Sequence, residues 1–270
     1  MDFQNETRFC TADPRLLEAL RKRHPRVHCI TPAVSAAKVA DGLSAVGASP
    51  ILSEDLQECA EITRSSQALS LSIGMPSENK WNVLRKSGKA AKDANIPIVL
   101  DLTGIGVSPF RQAKARELLT EIHPWLIKGN LSELASLCHM GGSGSIDVQS
   151  KEVQAIGDSR RFLEALLDCA SAHSCLLICT GKEDQLFTPD RRMYAARGGS
   201  AWMAARSGTG CMLTAFLAAA LGVWSDQPEQ AAACALGWFK AWAQIAEQNL
   251  QTAEGSGHFL IRFLDAMSLS

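Results

Sequence analysis

The strand-like segments of this chain do not alternate between apolar and polar residues. Ile96-Pro97-Ile98-Val99-Leu100 and the stretches 125–128 and 175–180 are apolar on both would-be faces, so each strand must be covered on both sides. Helical patterns separate them, at 77–94, 111–122, 131–137 and 153–171. Covered strands joined by helices dictate an α/β fold, with a mostly parallel central sheet and helices on both faces. Further strands are expected at 27–31, 49–52 and 68–73, with helices at 34–46 and 55–66, the second capped by Ser53. Residues 184–203 read as an antiparallel hairpin at the sheet edge, and the last third is helical at 209–221, 227–251 and 259–267. The chain has 270 residues, 46% of them hydrophobic, with neither an internal repeat nor a long linker, so one domain over 1–270 is expected.

Charge and cysteine usage narrow the partners. With 27 Lys and Arg against 28 Asp and Glu, the net charge of −1 supplies no field for nucleic acid or an anionic membrane. The longest apolar stretch, 211–224, is too short for a bilayer and contains Thr214. The polar start, 1–10, lacks the basic-then-apolar order of a signal peptide, so a soluble, cytoplasmic protein is expected. The 9 cysteines are odd in number, scattered and without a Cys-x-x-Cys pair, which fits free buried thiols rather than disulfides or a thiolate metal site. Gly88-Lys89 and Gly181-Lys182 lack the following Ser or Thr of a P-loop, and no dinucleotide fingerprint, H-E-x-x-H or G-x-S-x-G is present.

In a parallel sheet, ligands gather beyond the carboxyl ends of the strands. The ends here are Thr31, Leu52, Gly74, Asp101, the segment 128–130, and Thr180. Beside them stands Ser207-Gly208-Thr209-Gly210-Cys211, which runs into an apolar helix. Gly208, Thr209 and Gly210 bare backbone N–H groups at a helix start, a cradle for phosphate or a developing alkoxide. Cys211 falls in the first turn, where a thiol pKa is lowered and the sulfur can serve as base or nucleophile. The same residues also read as a glycine turn before a buried cysteine. Asp101, at a strand tip before Gly104 and Gly106, suits water-mediated Mg²⁺ binding or a simple turn cap. Lys128 can supply a phosphate charge, and Thr180 a phosphate hydrogen bond. Asn130 and Glu133 sit at the spacing of a capping box, while Glu133 could equally complete a magnesium site with Asp101. A Cys–His hydrolase would need His28, His123 or His258 near Cys211, and none lies in a pattern that commits it.

Strand-tip Asp101, Lys128-Gly129-Asn130-x-x-Glu133 and Ser207-Gly208-Thr209-Gly210-Cys211, in this order, resemble the hydroxyethylthiazole kinase family of the ribokinase-like group. The resemblance runs from Pro25 to Met267 and includes Val27-His28-Cys29-Ile30-Thr31, Gly47-Ala48-Ser49-Pro50, Gly88-Lys89-Ala90-Ala91 and Gly255-Ser256-Gly257. It implies transfer of the ATP γ-phosphoryl group to the primary hydroxyl of a thiazole, with Mg²⁺. Cys211 matches the catalytic base, the turn 208–210 the anion hole, and Asp101 and Glu133 the carboxylates around magnesium. Lys128, Asn130 and Thr180 match ATP contacts, and Gly74 and Gly208 match thiazole-pocket positions. The family is typically a homotrimer with active sites between subunits.

The chain departs from the family pattern at Pro32, where Asn is usual, at Leu52, where Met is usual, and at Lys128, where Arg is usual. Pro32 has neither a backbone N–H nor a polar side chain, and Lys128 keeps a charge but not the bidentate fork. Pro32 and Leu52 both fall in the pocket region. Two alternatives follow: a kinase of another hydroxymethyl or hydroxyethyl heterocycle such as a pyrimidine, or a paralogue that binds ligand without turnover.

Overall fold

Among the described residues nine strands form one sheet: β1 (Arg8–Phe9), β2 (Arg26–Ile30), β3 (Ser49–Leu52), β4 (Ala68–Ser72), β5 (Ile98–Asp101), β6 (Leu126–Asn130), β7 (Leu176–Thr180), β8 (Asp184–Phe187) and β9 (Met193–Ala196). Their order is β1-β9-β8-β7-β6-β5-β4-β2-β3. All neighbours pair in parallel except at β8, which is antiparallel to both β7 and β9. The structure, a computed structural model, describes residues 7–138 and 160–270.

Among the described residues the helices are α1 (Pro14–Arg23), α2 (Ala36–Ala45), α3 (Cys59–Arg64), α4 (Glu78–Asp93), α5 (Pro109–Ile122), α6 (Leu131–Leu137), α7 (Arg160–Ala172), α8 (Thr209–Val223), α9 (Pro228–Gln248) and α10 (Ser256–Leu269). One apolar core joins the sheet to α1, α2, α8, α9 and α10, and a second joins its other face to α3 through α7. Helix α8 is buried on almost every side, which explains why its sequence is apolar throughout rather than striped.

Several expectations need correction. The hairpin 184–203 stops at Ala196 and is not the edge, because β1 adds in parallel outside it with Arg8 opposite Tyr194. The helix expected over 55–66 shortens to α3. Ser53 does not cap it: its hydroxyl donates to Glu58 Oε1 at 2.6 Å, and the Asp55 carboxylate accepts from Gln57 N at 2.7 Å. The Asp55–Gln57 bond, with that from Asp55 N to the Ser53 hydroxyl at 3.4 Å, folds the segment as turns instead. The helix expected over 34–46 begins as a 3₁₀ turn, Ala33–Ser35, because Pro32 leads into it. Helix α1 went unread: its buried stripe is only Leu16, Leu17 and Leu20 in a charged segment, although Asp13 caps it and Pro14 starts it. The glycine loop 141–145, and 153–159 of the helix expected over 153–171, lie outside the described residues.

Among the described residues no helix is long and apolar enough to cross a membrane. Helix α9 meets the segment between β1 and α1 so closely that a Cβ on Gly237 would stand 2.7 Å from the Thr11 carbonyl carbon and 2.9 Å from Ala12 N. Backbone cannot swing aside as a side chain can. Gly237→Ala should therefore cost about 1–3 kcal/mol, read as a lowered Tm. An unchanged melting curve would show that the two segments are not held together.

Candidate active site

Parallel register brings the expected strand tips side by side. Ser72 of β4 lies opposite Asp101 of β5, Asp101 opposite Lys128 of β6, and Asn130 opposite Thr180 of β7. Asp101 is 1% exposed and Lys128 4%, and their Oδ2 and Nζ atoms are 3.1 Å apart. The Thr214 hydroxyl, from the second turn of α8, lies 2.9 Å from the same Oδ2. Asp101 Oδ1, although buried, has no hydrogen-bond partner among the described residues. Burial works against the Lys128 ammonium, but Asp101, Glu133 and Cys211 outweigh it and hold the pKa above the ordinary lysine value.

Helix α8 opens at Gly208, whose φ of 98° is the left-handed region that glycine adopts at no cost. Gly208 makes no side-chain cap, and the first intrahelical bond recorded there is Met212 N to Gly208 O at 2.9 Å. The N–H groups of Thr209, Gly210 and Cys211 thus have no acceptor within the helix. Lys128 Nζ is 3.5 Å from where a Cβ on Gly210 would stand, so a buried cation sits at this helix start. The Thr209 hydroxyl faces away, donating to the Met203 carbonyl at 2.9 Å, which leaves only its N–H for an anion. Lys38 Nζ donates to the Ser207 carbonyl at 2.6 Å and ties the turn to α2.

Cys211 is 9% exposed. Its thiol is not lowered as the helix start alone would predict. Burial, and next the Asp101 charge, push its pKa up, while the Ser35 hydroxyl, Lys128 and the Thr31 hydroxyl pull the other way. The helix dipole is outweighed because the sulfur is inside the protein rather than at an exposed terminus. None of these three candidate histidines pairs with Cys211. His28 hydrogen-bonds Thr63 and the Ser53 carbonyl, His123 caps α5 at the far end of the sheet, and His258 is exposed on α10.

Asn130 and Glu133 do form a capping box. Asn130 Oδ1 accepts from Glu133 N at 3.0 Å, and Glu133 Oε2 accepts from Asn130 N at 2.8 Å. Glu133 Oε1 also accepts from Gly104 N at 2.9 Å, which ties the glycine loop after Asp101 to α6. Burial, and then the Asp101 charge, raise the Glu133 pKa against the opposing pull of Lys128 and the two N–H groups. The helix-cap reading and the proximity to Asp101 therefore hold together. The Thr180 hydroxyl donates to the Gly129 carbonyl at 3.4 Å, at the same strand tips.

The expected pocket residues divide. A Cβ on Gly74 would fall 2.8 Å from the Pro32 ring, so these two are in contact at the tips of β4 and β2. A Cβ on Gly208 would fall 3.3 Å from Ser35 Oγ, which closes the ring from Pro32 through Ser35 to the glycine turn. Leu52 ends β3 at the same sheet edge, opposite Cys29, but is exposed rather than packed into this group. Sequence reasoning missed Lys80. It lies in the first turn of α4 behind the Ser77 cap, is 3% exposed, and pairs with Glu54 at 3.3 Å. Burial lowers its pKa, opposed by Glu54 and by Cys211, whose thiol it is close enough to influence. A lysine in the first turn opposes the helix dipole, and that was the legible signal.

The hydroxyethylthiazole kinase family model matches residues 17–270. A hydroxyethylthiazole kinase of Glaesserella parasuis serovar 5 is 35% identical over 255 residues, covering 93% of this chain and 91% of that protein. Another, from Exiguobacterium sp. strain AT1b, is 32% identical over 248 residues, covering 92% and 90%. Among solved structures, the hydroxyethylthiazole kinase protein of Pyrococcus horikoshii OT3 aligns with a TM-score of 0.80 at 26% identity, over 95% of this chain and 92% of that one. An ADP/ATP-dependent NAD(P)H-hydrate dehydratase from Bacillus subtilis aligns at 0.63 with 15% identity, a likeness of fold alone. With a family match over residues 17–270 and relatives above 30% identity across nine-tenths of its length, this chain belongs to the hydroxyethylthiazole kinase family and carries the ribokinase-like fold.

Proposed function

We propose that the chain uses ATP to phosphorylate the primary hydroxyl of hydroxyethylthiazole, the salvage step that returns the thiazole to thiamine synthesis. The observation that carries this reading is Lys128: one buried ammonium touches Asp101 at 3.1 Å and also sits at the open start of α8. Phosphoryl transfer needs positioned charge more than covalent chemistry, and this arrangement supplies it. The N–H groups of residues 209–211 would bind the equatorial oxygens of the transferred group, with Lys128 beside them. Cys211, in the same turn, would take the proton of the acceptor hydroxyl. Thr180 and Asn130, at adjacent strand tips, would contact the nucleotide.

Magnesium fits the residues present. Asp101 Oδ1 is buried without a partner, and Glu133 is a second carboxylate near enough to feel its charge. Among the described residues no group of three or more His, Cys, Asp and Glu side chains could cage an ion. That suits Mg²⁺, which keeps several waters and binds through one or two carboxylates plus phosphates. Asp101 and Glu133 would hold it, and when bound it would neutralise phosphate charge. Glu133→Gln, which keeps one acceptor oxygen for the cap, should raise the Mg²⁺ concentration giving half-maximal turnover several-fold. A Mg²⁺ titration identical to wild type would leave Glu133 as a helix cap alone.

A homotrimer with active sites between subunits is supported by exposed apolar side chains at or just beyond the carboxyl ends of β2 to β5: Val34, Leu52, Met75, Val107 and Phe110. Exposed Leu52 would then enter the pocket of a neighbouring copy. Sedimentation at the mass of one subunit would reject this. ATP and a small alcohol as substrates agree with a cytoplasmic protein. The function is tested by ATP consumption with Mg²⁺ and a panel of thiazole and pyrimidine alcohols. Turnover with hydroxyethylthiazole is expected. Turnover with a pyrimidine alcohol alone would move the substrate, and none with any alcohol would leave a binding protein.

A further inference from the structure

Lys240 and Asp184 are a buried ion pair that the phosphoryl-transfer reading leaves without a task. Lys240 lies in the middle of α9 and Asp184 opens β8, and they are 4% and 3% exposed. The Lys240 ammonium reaches Asp184 Oδ1 at 3.1 Å, the Gly181 carbonyl at 3.2 Å and the Lys182 carbonyl at 3.4 Å. Its three hydrogens thus have three acceptors. Asp184 Oδ1 also accepts from Gly181 N at 2.8 Å, so Gly181 is held by both its N–H and its carbonyl. The lysine stem has no room to swing away: a Cβ on Gly199, whose φ is 85°, would stand 2.9 Å from Lys240 Cδ.

What this grip does follows from the geometry of the peptide bond. In a planar trans peptide the C=O and the next N–H point in opposite directions, and the described peptides are all trans. Carbonyls 181 and 182, turned inward to Lys240, therefore turn the N–H groups of Lys182 and Glu183 outward. The structure gives neither N–H an acceptor among the described residues, and Lys182 is exposed and Glu183 half-buried. The two follow closely on Thr180 at the carboxyl end of β7, with Asn130 opposite it in register. Adjacent outward N–H groups in a turn suit an anion. A buried ion pair is weak evidence for stability, whereas donors fixed in advance are what a phosphate site needs. We propose that Lys240 is a positioning residue for the nucleotide: by holding the carbonyls of Gly181 and Lys182, it aims the N–H groups of Lys182 and Glu183 at the phosphates of ATP. Asp184 neutralises that ammonium and fixes the first peptide of the turn. The inference rests on the kinase reading for ATP as the ligand, but its binding readout needs no turnover.

The test combines Lys240→Met with Asp184→Asn in the full chain. Lys240→Met alone strands a buried carboxylate and endangers the fold, whereas asparagine removes that charge and keeps an acceptor for Gly181 N. In the double variant the Kd of ATP by titration calorimetry and the KM for ATP should each rise about tenfold, the scale of a weakened hydrogen bond to a charged group. The KM for the alcohol should not move. In wild type, ATP should slow hydrogen exchange in the peptide spanning 181–184, and the double variant should lose that protection. A lowered Tm with ATP affinity and protection unchanged makes the pair structural only and overturns the proposal, while wild-type turnover on hydroxyethylthiazole leaves the kinase reading standing. ATP that binds wild type without slowing exchange at 181–184 overturns the proposal with no variant needed. Weakened ATP binding and lost protection in the double variant, with no alcohol phosphorylated by wild type, supports the clamp and rejects the kinase reading. A wild-type protein that binds no ATP overturns both.

Discussion

Asp101→Asn should lower kcat by about 10²- to 10³-fold, the scale of removing one preorganised charge from a transition-state site. Two separate contacts converge on this carboxylate. Lys128 and Thr214 both meet Oδ2, at 3.1 and 2.9 Å, and Oδ1 has no partner of its own. Asparagine keeps the shape and an acceptor for Thr214 but removes the charge that holds Lys128 in place. The ammonium, 4% exposed, would lose its nearest counterion, and breaking a buried pair costs about 3–5 kcal/mol. A lowered Tm is therefore expected beside the lost rate. Asp101→Glu separates the two effects: it restores a charge for Lys128 and much of the melting temperature, but moves the carboxylate by one methylene. Near-normal kcat in both variants, with folded protein by circular dichroism, would remove Asp101 from the chemistry.

Cys211→Ala should cut kcat by about 10²-fold or more, the usual worth of a general base. Its pH dependence is the sharper readout. Burial, then the Asp101 charge, raise the thiol pKa, so near neutrality the sulfur holds its proton in the ligand-free protein. If the thiolate is the base, log kcat climbs with pH on the alkaline side, and Cys211→Ala both lowers the rate and flattens that climb. Cys211→Asp should retain turnover and shift the limb several pH units downward, because a carboxylate titrates near 4 where a thiol titrates near 8.5. A climb that survives unchanged in Cys211→Ala would assign it to another group and leave Cys211 as packing in the first turn of α8.

Much of this fold was open to reading because its signals are local and strong. Residues 96–101 show no alternation, which requires cover on both faces, and β5 is buried at all four positions. Ser77 with Pro76 before it marks the start of α4, and Asn130 with Glu133 marks α6, where both halves of the capping box form. Helix α1 and strand β1 were hidden for the opposite reason. Two residues of β1 carry no period, and they become a strand only because β9 offers an unpaired edge. The segment after Ser53 misled because its apolar spacing suggested a helix while Ser53 and Asp55 bound the backbone as turns.

The sequence alone determined which residue types stand at the carboxyl ends of the strands: Asp101, Lys128, Thr180 and the glycine turn before Cys211. That is local information, since strand ends and helix starts are marked by nearby residues. What only the tertiary structure decided is how these groups act on one another. Register alone sets Asp101 against Lys128, and the packing of α8 across the sheet alone brings Thr214 and Cys211 to the same carboxylate. It is also packing that buries Lys80 within electrostatic reach of that thiol and raises the Cys211 pKa against its helix dipole. Coulomb and desolvation energies depend on distance and burial, and neither is a property of residues separated by a hundred positions along a chain.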